Sequence, residues 1–515
     1  MKIYRSIKIL FLSVLVMCHS AYSQPKTPSK ITFEIKADKE LSTAIPSAGR
    51  LILILGRVAE PEPRLRVSWP GEDITIFGKD IRNWDGANPI LIDDGAIGFP
   101  SNTVSEIESG EYYVQALYDT DTTFCHINAP GNFYSTTKQI SISETGEQSF
   151  TIALNKQIAP EKLPQNTSLT KYVKIQSKLL TKFWGKPMYL RAGIVLPRGY
   201  DPKSNIKYPV MYYIGGYHTR FNIPEKIMNE GHRFYKHVMS DKVPQMIVVF
   251  LDGEAPYGDS YQINSANNGP YGDATVEELI PYIENEFNAV GTPKSRFLTG
   301  GSTGGWVSLA LQIFYPDFFN GAWSSCADPV DFSALLLINI YKDKSNFVNE
   351  HGYDSPWWRD TDGDIRFTIR DAVKFENVLG RNDTYSLSGM QWGCFNAVCS
   401  PKGKNGYPME LFDPMTGEID SIVANHWKAY DLRLYLAENW ERIGPKIQGK
   451  IHVKMGDRDS FYLDNAMRLM EAFLGKTNNP NSDAEFVFAP GKGHCWGYTR
   501  AELFEEVHRE FTSGD

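Results

Sequence analysis

Cysteine is scarce in this chain: six occur in 515 residues, none of them in the close Cys-x-x-Cys or His spacing that a tetrahedral zinc site uses. Neither a metal nor another cofactor is expected. Lysine and arginine form no cluster and the formal charge is −8, so the basic face that binds nucleic acid is missing. Beyond the first residues no apolar run approaches the ~18 residues of a membrane span, and none is expected. Repeats and low-complexity tracts are also absent. What remains, 42% hydrophobic and 22% charged residues, is the composition of a globular protein that can bury a large core.

The N-terminus is basic (Lys2, Arg5, Lys8) and is followed by the apolar run Ile9 to Met17 and the small-residue pattern Ala21-Tyr22-Ser23. This reads as a signal peptide over 1–23, and the protein as exported, periplasmic or secreted. Val16-Met17 stand before Cys18 where a lipidation site carries a small residue, so lipid anchoring is the less favoured reading. Loss of the leader moves the net charge from −8 to −11.

From 31 to about 154, apolar and polar residues alternate with period two, as in Ile31-Thr32-Phe33-Glu34-Ile35, between Gly, Pro and Asp clusters. That predicts half-buried strands and a small immunoglobulin-like β-sandwich, the N-terminal domain 24–158. A linker over 159–171 follows, with Pro160 and Pro164. In 172–515 short apolar strands alternate with helices, the pattern of a mostly parallel, doubly wound α/β sheet. Strands are expected at 188–196, 208–214, 246–251, 296–299, 321–325, 451–455 and 486–489, with helices over 276–287 and 306–315. An insertion of about 333–446 is too long for a connection and should carry its own structure. It holds five of the 11 Trp residues: Trp357, Trp358, Trp392, Trp427 and Trp440. They are either the core of a helical subdomain or a lid with an aromatic, substrate-binding face.

The sharpest chemical signal is Gly300-Gly301-Ser302-Thr303-Gly304, a G-x-S-x-G pattern between an apolar strand and an apolar helix. A serine hydroxyl is a weak nucleophile and must be raised on a tight turn where a base can reach it. Ser302 is therefore the expected nucleophile. The helix that follows aims its first N–H groups at a developing oxyanion. Gly215-Gly216, after an earlier strand, lets a second donor approach, so the oxyanion donors are expected to be the N–H groups of Tyr217 and Thr303. His218 reads as a pocket-wall or surface residue rather than a base. The base should follow the last strand and precede the last helix, which selects His494. Gly456-Asp457-Arg458-Asp459 ends the strand before it. Asp459 is preferred as the acid, with Asp457 as the alternative that pairs with Arg458 or caps the turn. Trp306 and Trp392 are the aromatics expected to touch substrate, and Trp69 and Trp84 permit a sugar platform on the N-terminal domain. Asp360-Thr361-Asp362-Gly363-Asp364 lacks the glycine and glutamate positions of a calcium loop and reads as a solvated acidic turn. Cys394 and Cys399 are placed to close a short loop. Cys326 and Cys495 fall on loops at one rim of the sheet, where a disulfide would brace the His494 loop if their Cα atoms lie within ~7 Å.

From about 172 to the end the chain resembles the putative-esterase branch of the α/β hydrolases, which includes esterase D-like, feruloyl and enterochelin esterases and the mycolyltransferases. The motifs that carry the likeness are Leu196-Pro197-Arg198-Gly199-Tyr200-Asp201, Tyr208-Pro209-Val210 leading to Gly215-Gly216, and Glu278-Leu279-Ile280-Pro281-Tyr282-Ile283-Glu284. Gly301-Ser302-Thr303-Gly304-Gly305, Tyr315-Pro316-Asp317 and Gly493-His494 complete it. The resemblance implies an α/β-hydrolase fold with a Ser302, Asp459, His494 triad that cleaves carboxylic esters through an acyl-enzyme. The expected partner is a small-molecule or glycan ester. A serine peptidase or acyltransferase uses the same triad, and a non-catalytic binding protein would need it broken, which it is not.

Overall fold

The computed structural model describes residues 30–71, 73–124 and 126–513. The expected leader lies outside them. Among the described residues no helix is long and apolar enough to cross a membrane.

The central element is an eight-stranded sheet of β1 (Thr170–Ser177), β2 (Met188–Val195), β3 (Val210–Ile214), β4 (Ile247–Leu251), β5 (Arg296–Gly301), β6 (Ala322–Ser325), β7 (Ile451–Gly456) and β8 (Glu485–Ala489). Its order is β1-β2-β4-β3-β5-β6-β7-β8. The pairs β1/β2 and β2/β4 are antiparallel, and the rest are parallel. This is the strand order of an α/β hydrolase. The middle strands are buried on both faces, and so they read as unbroken apolar runs such as Ile247-Val248-Val249-Phe250-Leu251. β1 was not foreseen. It is an edge strand whose exposed Lys174 and Gln176 interrupt its apolar residues.

The helix after β5, α1 (Thr303–Phe314), starts three residues earlier than the spacing predicts and is buried throughout its first eleven residues. The stretch expected over 276–287 is the end of a longer run, Tyr271–Ala274, Thr275–Leu279 and Ile280–Glu286, with a π turn in its middle. Between β6 and β7 lie a hairpin of Pro356–Arg359 and Ile365–Thr368, α2 (Ile369–Leu379), α3 (Gln391–Cys399) and two further helices. Asp360 turns the hairpin, its Oδ1 accepting the N–H groups of Asp362, Gly363 and Asp364. After β7 comes α4 (Leu463–Leu474), and after β8 comes α5 (Arg500–Thr512).

Ahead of the central sheet, nine strands between Lys30 and Gln157 form a second one, antiparallel except where Lys30–Ala37 runs beside Glu147–Gln157. Phe33, Leu53, Val114, Tyr118 and Leu154 share one core on it. Ile52, Ile54 and Ile76, on the other face of the middle strands, pack against Phe375, Val378 and Leu379 of α2. Arg50, fully buried, reaches from the same strands to the C-terminal end of α2. Its Nε and Nη2 donate to the Val378 carbonyl, Nη2 also to that of Asn377, and Nη1 pairs with Asp80 and Asp383. A helix leaves its last carbonyls without intrahelical donors, and a cation there satisfies them and suits the helix dipole.

Candidate active site

Ser302 sits at the crossing from β5 to α1 with φ 57° and ψ −124°, a conformation that side chains adopt only under constraint. Two glycines make the crossing possible. A Cβ on Gly304 would lie 2.0 Å from the Ile214 carbonyl oxygen, and one on Gly300 would lie 2.3 Å from that of Gly304. The Ser302 N–H is held by the Ser325 carbonyl at 3.1 Å and by Cys326 Sγ at 3.2 Å. Its side chain is thus turned out of the sheet at the carboxyl ends of the strands, where open α/β sheets form their sites.

His494, in the loop after β8, brings Nε2 to 3.2 Å from Ser302 Oγ and Nδ1 to 2.7 Å from Asp459 Oδ2. Asp459 is completely buried, and its other oxygen accepts the Phe461 N–H at 2.8 Å. Asp457 faces away, its Oδ1 taking the Gly491 N–H. Burial works against a charged imidazole at His494. The hydrogen bond and charge of Asp459, with the charge of Asp328 added, outweigh it and hold the pKa above the usual histidine value.

Cys326 and Cys495 are joined, with Cα atoms 4.9 Å apart, and so tie the loop after β6 to the residue following His494. Among the described residues only Cys326, His494 and Cys495 gather as a metal-ligand cluster, and the disulfide consumes both sulfurs. Cys394 and Cys399 are buried and are not joined to each other, so they close no loop; both lie on the regular helix α3. The hairpin of the insertion supports the acid from outside. Arg359 donates through its N–H to the Ser460 carbonyl and through Nε to that of Asp459, while Arg458 reaches the Thr361 carbonyl.

The Gly215-Gly216 loop passes close to the nucleophile: a Cβ on Gly216 would lie 3.5 Å from Ser302 Cβ. This brings the Tyr217 backbone beside Ser302 from one side, while Thr303, the first residue of α1, stands on the other. Thr303 belongs to the helical turn whose N–H groups have no intrahelical acceptor.

Two cavities open beside neighbours of the triad, Asp328 and Phe461 in one and Tyr217 in the other. One, of about 40 Å³, is an aromatic slot with Tyr261, Asp328, Trp357, Trp392, Phe395 and Phe461 in its wall. The other, of about 280 Å³, is bounded by Tyr217 and His218, by Asp259, by Ser68 and Asn128 from loops of the N-terminal sheet, and by Met390. Trp69 stands where the two meet, its ring 4.6 Å from Trp357, 5.9 Å from Phe461 and 6.2 Å from Tyr217, and Phe461 lies edge-on to His494 at 4.9 Å.

Of the aromatics expected at the site, Trp392 lines the slot. Trp306 does not: it is wholly buried against Tyr261 and Phe395, because α1 is sunk in the core on every face. Trp84 is likewise no platform, being packed on Tyr118 with its N–H bonded to the Asn88 carbonyl. Asp328, Tyr261 and Phe461 were not foreseen. Asp328 lies two residues past Cys326 on the rim loop after β6, where no strand or helix pattern marks it.

A family profile described as "Putative esterase" matches residues 188–509, well over half of the chain. The chain belongs to this esterase family. The enzyme is a serine carboxylic ester hydrolase. No curated protein matches it. Among solved structures, a ferulic acid esterase from Anaeromyces mucronatus is 16% identical, with 69% of this chain and 95% of that chain covered at a TM-score of 0.35. An S-formylglutathione hydrolase from Agrobacterium tumefaciens is 12% identical, with 68% and 96% covered at 0.37. The fluorophosphonate-binding serine hydrolase F of Staphylococcus aureus is 14% identical, with 67% and 98% covered at 0.36. At such TM-scores these neighbours add nothing to what the family match and the strand order give.

Proposed function

We propose that this esterase is exported and hydrolyses carbohydrate-linked acyl esters through an acyl-enzyme on Ser302. The observation that carries the reading is the unbroken line Ser302 Oγ to His494 to Asp459. Ser302 passes its proton to His494 Nε2 as Oγ bonds to the ester carbon. Asp459 keeps the imidazole in the right tautomer, and the N–H groups of Tyr217 and Thr303 meet the oxyanion. His494 then protonates the departing alcohol, and water repeats the sequence on the acyl-enzyme.

The wider cavity supports a sugar as the alcohol part. Asp259, half-buried, with desolvation pushing its carboxyl up to about 6, has no cation within ion-pair distance among the described residues, and His218 stands exposed beside Tyr217. Carboxylate, imidazole and aromatic face together suit hydroxyl groups on a ring. The aromatic slot, with Trp392, suits the acyl group. We read 24–158 as a sandwich-like domain that shapes the cavity and about 333–446 as the insertion that roofs the slot. The Cys326–Cys495 bond supports an oxidising compartment, hence periplasm or exterior.

A fluorophosphonate probe should label the parent protein and not Ser302→Ala, whose thermal stability should be nearly unchanged. Equal labelling of both removes Ser302 as nucleophile. Feruloyl sugars or acetylated polysaccharides should give higher kcat/KM than p-nitrophenyl acyl esters. A preference for the p-nitrophenyl esters would remove the carbohydrate and leave the esterase.

A further inference from the structure

Beside Ser302 lies a carboxylate that the triad does not use. Asp328 is 4% exposed, and no cationic side chain is within ion-pair distance of it among the described residues. Its N–H donates to the Ser302 carbonyl. Oδ2 accepts from Tyr261 Oη at 2.9 Å and Thr303 Oγ1 at 3.0 Å, and Oδ1 faces Ser302 Oγ at 3.4 Å. A buried carboxylate held only by neutral donors costs stability, and a protein retains one where it serves a purpose.

Ser302 has one hydroxyl proton and two acceptors within reach, Asp328 Oδ1 at 3.4 Å and His494 Nε2 at 3.2 Å. We propose that Asp328 is a positioning residue for this pair: it fixes the serine hydroxyl in the resting enzyme and, once the proton has moved to His494, steadies the imidazolium with its charge. The inference rests on Ser302 and His494 being nucleophile and base. In the acylation step the Ser302 O–H bond breaks, the proton goes to His494 Nε2 and the oxygen's electron pair bonds to the ester carbon. Asp328 gains and loses nothing.

The surroundings leave Asp328 this role. From its own side it meets Tyr261, Thr303 and Ser302, with Asp259 behind Tyr261 acting on it only through space. His494 meets Asp459 on one side, the uncharged Phe461 ring on another, and the Cys326–Cys495 disulfide, which does not titrate. Burial raises the Asp328 pKa, and the hydrogen bonds from Tyr261 and Thr303, the His494 charge and the Ser302 hydroxyl oppose it. The same coupling acts in reverse on His494, whose pKa the Asp328 charge helps to raise.

The experiment is the pH dependence of kcat/KM for p-nitrophenyl acetate, and of the rate of labelling by a fluorophosphonate, in Asp328→Asn. Asparagine keeps the shape and loses the charge. Through Ser302 Oγ the carboxylate and the ring nitrogen are no further apart than two hydrogen-bond lengths. The acid limb should therefore move down by roughly one pH unit in both measurements, and kcat should fall roughly tenfold. Tyr261→Phe, which leaves the charge but removes a donor that keeps Asp328 ionised, should move the limb the same way by less. If Asp328→Asn fails to fold, Tyr261→Phe decides. An acid limb that stays in place or moves up in folded variants overturns the proposal. An unlabelled parent protein would instead overturn the assignment of Ser302, a result separate from this one.

Discussion

Asp457 and Asp459 are two residues apart and face opposite ways. Asp459 is sealed from water and bonded to His494 Nδ1, whereas Asp457 pins the loop after β8 through the Gly491 N–H. Asp459→Asn presents a donor where the ring needs an acceptor, and so favours the wrong tautomer. It should lower kcat by roughly 10⁴, the loss seen for this change in the best-studied serine triad. Asp457→Asn should retain most activity, and kinetics of both variants at one pH check the ranking. The triad was legible because strand, glycine turn and helix leave a nucleophile few places to stand, and because the base and acid then have fixed places in chain order. Asp328 was not legible, since a lone acid in an irregular loop has no pattern around it. Trp306 was misjudged for a related reason: apolar spacing marks a helix but does not tell a helix with one wet face from one buried all round.

At the scale of elements, the slot depends on how α3 begins. Glu376 of α2 is buried, and burial pushes it up to about 7, yet its oxygens accept the N–H groups of Trp392 and Gly393 and the Ser388 hydroxyl. A carboxylate from one helix thus closes the first turn of the next and fixes the Trp392 backbone at the slot. Glu376→Ala leaves those donors buried and unmet, at a cost of about 1–3 kcal/mol. Thermal denaturation should show the loss, and KM for bulky acyl esters should rise more than KM for acetyl esters. A fall in melting temperature with no difference between the two KM changes would confine Glu376 to the fold. No sequence pattern linked these helices, because the contact joins residues on separate elements through a side chain that composition alone would place in water.

At the scale of the molecule, the N-terminal sheet is bound into the catalytic part and is not a bead on a linker. Arg50 crosses to the end of α2, Ile52 and Ile54 bury against it, and Trp69 stands among Trp357, Tyr217 and Phe461 above the triad. Arg50→Ala should cost about 3 kcal/mol, since it leaves the buried Asn377 and Val378 carbonyls without their donor and takes the cation from Asp80 and Asp383. Chemical denaturation of the variant measures this, and an unchanged midpoint would mean the junction holds without it. The contact between Trp69 and Trp357, 4.6 Å between ring centres, has an optical consequence. Two indoles so close share their excited states, and such a pair gives a circular-dichroism couplet that neither ring gives alone. One indole belongs to the N-terminal sheet and the other to the insertion, so the couplet reports whether the two halves are joined. It should fade in Arg50→Ala ahead of global unfolding and vanish in Trp69→Phe, making the docking of the sheet over the active site something that can be followed in real time without a label.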